Sequence, residues 1–365
     1  MAILHQSEAG YLVCHRSLSE EMCGRPYLRS LFDIRTPFLK DQEAMSLAQE
    51  MESGVPKKRK RKKNHEVKQL PVEESKVLDF LSELSKFFQP PPSSLDFTAN
   101  NKPVRDLVTQ FLSSAPGSRI QDINLEMSYF NSLEHAIEKE INGETFILPP
   151  HSQFYKNDIN YLDTLEKISG CTFSLIVMDP PWTNRFVKRK RNAGSVNCYR
   201  SMDNDILATL PIANLCTEGA LVAIWCTNSK THLEYLTGTL LPLWKLTYIA
   251  TWFWIKVTVS GKFVCEWNGP SGKHPFERVI LARKMHSVEG LKSMPIPDKK
   301  FFVSIPCAIH SFKPPLQKLL QPFVEANGQA LELFARSLLP ETVSVGNQVP
   351  LLQHVSLFEE KGRNV

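Results

Sequence analysis

Phe173-Ser-Leu-Ile-Val-Met178 runs directly into Asp179-Pro180-Pro181-Trp182, and this stretch decides the fold. The first six residues are apolar but for one serine and are bounded by turn formers, so they read as a strand buried on both faces. An acid, two prolines and an aromatic ring follow at its carboxyl end. Proline holds φ at about −65° and has no N–H, so the pair makes a stiff turn whose carbonyls face outward. A carboxylate, a free backbone carbonyl and a flat ring are thereby expected together at one sheet edge.

Similar short runs recur at Ala220–Cys226, Leu246–Ile255, Glu277–Arg283, Phe301–Ile305 and Ala330–Phe334. Helix-like stretches such as Ser229–Leu240 and Pro314–Ala326 separate them. The alternation predicts an α/β fold with a mostly parallel sheet covered on both faces. In such sheets ligands bind beyond the carboxyl ends of the strands, so the residues after each strand are the candidates. No two of the 16 glycines lie two apart, which excludes a strict Gly-x-Gly-x-x-Gly phosphate cradle.

The other regions divide by composition. Residues 1–40, with apolar positions from Tyr11 to Phe32, are expected to form a small β-rich N-terminal element. Residues 41–76 turn polar and charged, which predicts a flexible linker. Lys57, Lys58, Arg59, Lys60, Arg61, Lys62 and Lys63 lie in it as an unbroken run of +7 after Pro56. That pattern matches a nuclear import signal, so the expected partner is an import receptor and the expected compartment the nucleus, with the cytoplasm as the alternative. Residues 77–147 show helical spacing at Val77, Leu78, Phe80, Leu81, Leu84 and Phe87 and again over Val104–Leu112, predicting a helical accessory module. The sheet-bearing domain is expected over 148–360.

A chain of 365 residues has room for about two domains of roughly 150 residues. With 42% hydrophobic and 22% charged residues, wholesale disorder is excluded. The longest unbroken apolar run, Ala220–Cys226, has seven residues against the roughly 18 a spanning helix needs, so no membrane association is expected. No secretory leader is visible. Eight scattered cysteines without Cys-x-x-Cys, and ten histidines without His-x-x-x-His, predict reduced thiols and no metal. Net charge is +5, and without the basic run it is 5 − 7 = −2, so no general polyanion-binding surface follows from it.

The Asp179–Trp182 corner suits methylation of an exocyclic amine. The lone pair of an adenine N6 is delocalised into its ring. Two acceptors, the Asp179 carboxylate and the Pro180 carbonyl, can each take one amino hydrogen and free that lone pair. Trp182 is expected to stack on the base, a contact worth roughly 1–3 kcal/mol. Positioning and electrostatic preorganisation then supply the catalysis without a covalent intermediate or a metal.

Asp179-Pro-Pro-Trp182 also resembles the signature of the adenosine N6-methyltransferases of the MT-A-seventy type, and the likeness runs from about Asp158 to His354, closest to the methyltransferase-like-four branch. Supporting blocks are Trp-Phe-Trp-Ile-Lys at 252–256, Ile-Pro-Cys-Ala-Ile-His-Ser-Phe-Lys-Pro-Pro at 305–315, Leu-Glu-Leu-Phe-Ala-Arg at 331–336 and Gly346-Asn347-Gln348. The resemblance implies a Rossmann-like, class I S-adenosylmethionine-dependent methyltransferase in which the catalytic motif precedes the donor-binding strand. It implies that Asp158 and Ile159 hold the donor's adenine and that Asp179 borders the donor. Lys313 would pair with the donor carboxylate, Glu332 and Arg336 would bind ribose, and Asn347 and Gln348 the donor nucleoside. Trp254, Lys256, Glu277 and Tyr199 are implied to line the acceptor pocket.

Arg185, Lys188, Arg189, Lys190 and Arg191 follow the corner and are expected to grip phosphates flanking the target. The expected partner is RNA with a single-stranded or loop adenosine, because the base must be unstacked. For this branch the resemblance implies an internal 2′-O-methylated adenosine of spliceosomal, U2-type small nuclear RNA. DNA N6-adenine methylation is the alternative within enzymes, and a catalytically silent RNA-binding partner the alternative outside them. Phe312 stands where relatives carry histidine, and Ser337 and Leu338 replace polar residues that in some relatives reach the ribose.

Overall fold

The computed structural model describes residues 2–38, 72–90, 101–113, 127–156, 168, 170–182, 204–268, 273–284, 295–310, 312–325 and 328–360. Its strands, in chain order, are β1 (Ile3–Gln6), β2 (Gly10–Val13), β3 (Met127–Phe130), β4 (Ile137–Ile141), β5 (Glu144–Leu148), β6 (Gln153–Lys156) and β7 (Phe173–Met178). They continue with β8 (Cys216–Cys226), β9 (Leu246–Lys256), β10 (Phe276–Lys284), β11 (Phe301–Ser304), β12 (Ala330–Leu333) and β13 (Thr342–Gly346). Four helices matter below: α1 (His15–Cys23), α2 (Glu74–Glu83), α3 (Lys102–Ser113) and α4 (Lys230–Tyr235).

An 11-stranded sheet in the order β1-β2-β11-β9-β10-β8-β7-β12-β13-β6-β3 organises the chain. The block β8, β7, β12, β13 and β6 is parallel throughout, as is β2 with β11 and β11 with β9. Only β10, inserted antiparallel between β8 and β9, and the edge strands β1 and β3 break the pattern. This is the mostly parallel α/β architecture expected from the buried runs and the Rossmann-like sheet implied by the family resemblance.

β7 is buried at every position, and its side chains alternate between two cores. Ile176 and Met178 join Val222, Ile224, Ile280 and Leu333 on one face. Leu175 and Val177 join Trp225, Trp252, Trp254 and Leu281 on the other. Burial on both faces is why the run carries no polar alternation. The Pro314–Ala326 stretch, expected to be helical, holds only a turn at Gln317–Leu320 and a 3₁₀ turn at Gln321–Phe323. Pro322 lacks the N–H a longer helix requires there.

Two regional expectations change. Within 77–147, α2 and α3 are helical, but β3 extends the main sheet beside β6, and β4 and β5 form a separate hairpin. The Asn142-Gly143 turn that follows Ile137–Ile141, with φ of 54° and 78°, favours a hairpin over a helix. Residues 1–38 are not a freestanding element, because β2 pairs with β11 and extends the same sheet. Most of the 41–76 segment, including Lys57–Lys63, lies outside the described residues; Val72 and the start of α2 are described. Among the described residues no helix is long and apolar enough to cross a membrane.

Candidate active site

The strand directions bring one edge together. Met178 of β7 is level with Ile224 of β8, Cys226 with Arg278 of β10, and Glu277 with Trp254 of β9. Asp179, Glu277, Lys256 and, across β12, Glu332 therefore meet at the edge where an open α/β sheet binds its ligand.

The centre of that edge is a chain of alternating charges. Lys313 Nζ lies 3.3 Å from Asp179 Oδ2 and 2.8 Å from Glu277 Oε2, while the other Glu277 oxygen pairs with Lys256. Burial would raise the Glu277 pKa, but the two ammonium groups override it and hold the carboxyl well below its usual range. Burial raises the Asp179 pKa above its ordinary value, Glu277 adds to this, and Lys313 opposes it. The paired carboxylates in turn hold Lys313 firmly charged against its own burial. The Asp179 side chain keeps 27% of its surface open, so the corner is not sealed. An ammonium has three donors, and two of those on Lys313 face protein carboxylates, which leaves one for a donor carboxylate.

Trp182 behaves differently from the expected stacking platform. Its indole is 7% exposed, lies 5.3 Å from the His232 ring at 23°, and donates through Nε1 to the Trp225 carbonyl at 2.8 Å. β7 ends one residue before Asp179, so the Trp225 carbonyl next to it is left for a side-chain donor. A buried indole N–H needs such an acceptor, and the ring is thus a lock on the corner. Pro180 is buried and Pro181 half-buried. The Pro180 carbonyl accepts the Trp182 N–H at 2.8 Å, so one of its two lone pairs is already engaged and one remains. Trp254, expected beside the acceptor, is 2% exposed and bonds Ser304 Oγ at 2.8 Å, which makes it the floor beneath the charge chain. Lys256 Nζ sits 4.5 Å over its ring.

On the β12–β13 side, Glu332 is buried deeply enough that its pKa rises to about 8, with the Asp179 charge adding to the burial. Its Oε2 is buried and has no hydrogen-bond partner among the described residues, although it lies at the ligand edge. Arg336 donates to Gln348 Oε1 at 2.6 Å and to the His310 carbonyl. Two backbone features make that meeting possible. Phe334 adopts φ 61°, rare for a bulky residue, and turns the chain back to the edge. A Cβ on Gly346 would stand 2.3 Å from the Ala335 carbonyl oxygen, so only glycine lets the two turns close. Asn347 is exposed. An orphaned carboxyl oxygen, a guanidinium, an amide and the remaining Lys313 donor fit a nucleoside with an amino-acid carboxylate, the chemistry of S-adenosylmethionine.

The substitutions in the family pattern have packing consequences. Phe312 is buried against His15 at 4.7 Å and Tyr27 at 5.2 Å, so the N-terminal segment buttresses the residue before Lys313. Leu338 belongs to the same core, and Ser337 is half-buried. Asp158, Ile159, Arg185, Lys188, Arg189, Lys190, Arg191 and Tyr199 lie outside the described residues. The edge also holds His232, Arg278 and His310, which sequence reasoning passed over. Burial first, then Lys313 and Arg336, push the His310 pKa down to about 4. A charged residue directly before the apolar run Val279–Ala282 was the available signal for Arg278. Among the described residues no group of three potential metal ligands occurs.

Residues 173–348 match the MT-A70 family model. A mouse protein named N(6)-adenine-specific methyltransferase METTL4 is 38% identical over 222 residues, 59% of this chain and 45% of the relative. A Caenorhabditis elegans protein named DNA N6-methyl methyltransferase is 37% identical over 217 residues, 60% of this chain and 56% of the relative. A Pyricularia oryzae protein named N6-methyladenosine RNA methyltransferase MTA1 is 32% identical over 196 residues, 53% of this chain and 51% of the relative. The chain thus spans about half the length of the curated relatives it matches.

Proposed function

Since residues 173–348 form a domain of the MT-A70 family, on its METTL4 branch, we propose that the protein methylates the N6 amine of adenosine in RNA, with S-adenosylmethionine as the donor. The observation that carries this reading is the half-open Asp179 carboxylate beside a Pro180 carbonyl with a lone pair to spare, tethered through Lys313 to the edge that holds Glu332, Arg336 and Gln348. The donor, when bound, supplies an electrophilic methyl on a sulfonium. Asp179 and the Pro180 carbonyl accept hydrogen bonds from the two N–H groups and turn the nitrogen lone pair toward that methyl. As the N–C bond forms and the S–C bond breaks, one N–H proton leaves, with the Asp179 carboxylate as its acceptor. Lys313 keeps Asp179 oriented and offers its third N–H to the donor's carboxylate. Glu332, Arg336 and Gln348 hold the donor's hydroxyls, with Asn347, Asp158 and Ile159 toward its nucleoside. Arg185 and Lys188–Arg191 meet the polymer backbone, and Tyr199 the acceptor base. Trp182 keeps the corner rigid, which is positioning of the kind that supplies much of a methyl-transfer rate.

The substrate proposed within RNA is an internal 2′-O-methylated adenosine of spliceosomal small nuclear RNA, and the Lys57–Lys63 run is proposed to bring the protein to the nucleus. The name of the nematode relative favours DNA as the second reading. Transfer of labelled methyl to matched RNA and single-stranded DNA oligomers, with and without a 2′-O-methyl at the target adenosine, separates these. Preference for the 2′-O-methylated RNA is the expected result. Equal or better transfer to DNA overturns the RNA assignment, and no transfer to any oligomer overturns the enzyme.

A further inference from the structure

Arg278 occupies an unusual position for a cation. It lies on β10, and successive strand residues point to opposite faces. Glu277 faces Lys313 and the acceptor corner, so Arg278 faces the other side, level with Cys226 and two residues from Ile280. The residue is 6% exposed. Its guanidinium finds one acceptor, Asn228 Oδ1, at 3.4 Å from both Nε and Nη2. These are long contacts for N–H···O bonds, which centre at about 2.9 Å. Nη1 has no hydrogen-bond partner among the described residues.

Other arginines of the fold are better matched. Arg283, 8% exposed on the same strand, donates to the carbonyls of Gly219 at 2.7 Å and Phe323 at 3.0 Å. Arg16, Arg25 and Arg35 pair with Glu359, Glu138 and Asp33. No carboxylate pairs with Arg278 among the described residues. The neighbouring Cys226 cannot serve as counter-charge, because burial pushes its thiol up to about 12 despite Arg278 beside it. A buried charge without a partner is costly unless an anion arrives to meet it.

Location says which anion. β10 is two strands from β7, a separation of about 10 Å at ~4.8 Å per strand. Trp182 and Cys226 share one core on the Arg278 face, while Asp179 opens on the other. The ends of β7 and β10 thus lie close together at the ligand edge, with Asp179 projecting on one side of it and Arg278 on the other. We propose that Arg278, steadied by Asn228, binds a phosphodiester oxygen of the substrate strand next to the target adenosine. Guanidinium forks suit phosphate oxygens, and the contact turns an uncompensated cation into a paired one only when nucleic acid is present. Asn228 also donates to the Phe276 carbonyl at 2.8 Å, so it fixes the start of the strand that carries both Glu277 and Arg278.

This proposal rests on the nucleic-acid reading above, and it is decided by binding alone. Full-length wild type, Arg278→Met and Asn228→Asp are compared for affinity to RNA and single-stranded DNA oligomers in which one phosphate at a time is a neutral methylphosphonate. Wild type is expected to lose affinity at one position flanking the target, and Arg278→Met to be indifferent there. With unmodified oligomers, Arg278→Met is expected to lower the slope of log K against log salt by roughly 0.7, the value for one contact on a single strand. Asn228→Asp supplies the missing acid, so it is expected to weaken oligomer binding by occupying the Arg278 guanidinium. Position dependence in RNA but not DNA, or the reverse, identifies which polymer supplies the phosphate. If Arg278→Met, or Asn228→Asp should the former not fold, shows the wild-type position dependence and salt slope, the proposal is overturned. Absence of methyl transfer by a wild type that still binds overturns the enzymatic reading and leaves this one to the binding result.

Discussion

At the scale of single residues, the site works through charges kept off their solution values. Asp179→Asn keeps the shape of the corner but loses the anionic acceptor. Turnover is expected to fall on the order of 10²-fold or more, the loss typical of one preorganised electrostatic group, with donor binding retained. Near-normal turnover in a methyl-transfer assay would remove Asp179 from its role. Glu332 gives a second test. Its folded-state pKa of about 8 lies above the ordinary 4.5, so the folded protein holds a proton there that the unfolded chain releases. That contribution is fully present below pH ~4.5 and is lost as pH rises through the folded value. Glu332→Gln is expected to abolish this alkaline loss in melting curves recorded from pH 5 to 9, and to weaken donor binding at pH 7. A wild-type protein whose stability is flat over that range would contradict the buried, unpaired carboxyl.

Elements explain why some of this was legible in the sequence and some was not. β7 and its Asp179–Trp182 turn could be read directly, because a doubly buried strand must be apolar at every position and a Pro-Pro pair must end it. Glu332 and Arg336 could be placed at the edge, but their separation by the left-handed Phe334 could not, since no local preference of phenylalanine favours φ 61°. The fate of Trp182 was equally hidden. Stacking on a base and bonding to the Trp225 carbonyl demand the same side chain, and only the neighbouring strand's position decides between them. The strands β3 to β5 were missed because four or five residues give too few periods to oppose a helical pattern nearby. The parallel joint of β2 with β11 was invisible for a different reason, since it is made by residues remote in sequence. It depends on Gly10, where a Cβ would stand 2.2 Å from the Phe301 carbonyl oxygen. Gly10→Ala is expected to cost ~1–3 kcal/mol in urea unfolding, the range for forced overpacking. An unchanged midpoint would mean the joint yields.

Over the whole molecule, the N-terminal segment and the catalytic edge are one structure, and acidity tests their coupling. His15 on α1 is 2% exposed, packs on Phe312 and, among the described residues, has no hydrogen bond to either ring nitrogen. Burial lowers its pKa to about 3 from 6.5. Stability held by the neutral ring is complete above pH ~6.5 and drains as pH falls toward 3, because the unfolded chain takes the proton first. His310, at about 4, adds to the same acid limb. His15→Phe is expected to stabilise the protein by ~1–3 kcal/mol, the usual relief on removing an unsatisfied buried polar group, and by more at pH 5 than at pH 8. Equal shifts at both pH values would place the histidine in contact with water. The β2–β11 joint also closes late in synthesis, because its two strands are far apart in the sequence. The β1–β2 pair can form at once, but its join to the rest of the sheet waits until Phe301–Ser304 has been made, about 290 residues later. Any product truncated before that point leaves an apolar margin uncovered, and is a natural client for chaperones and proteases.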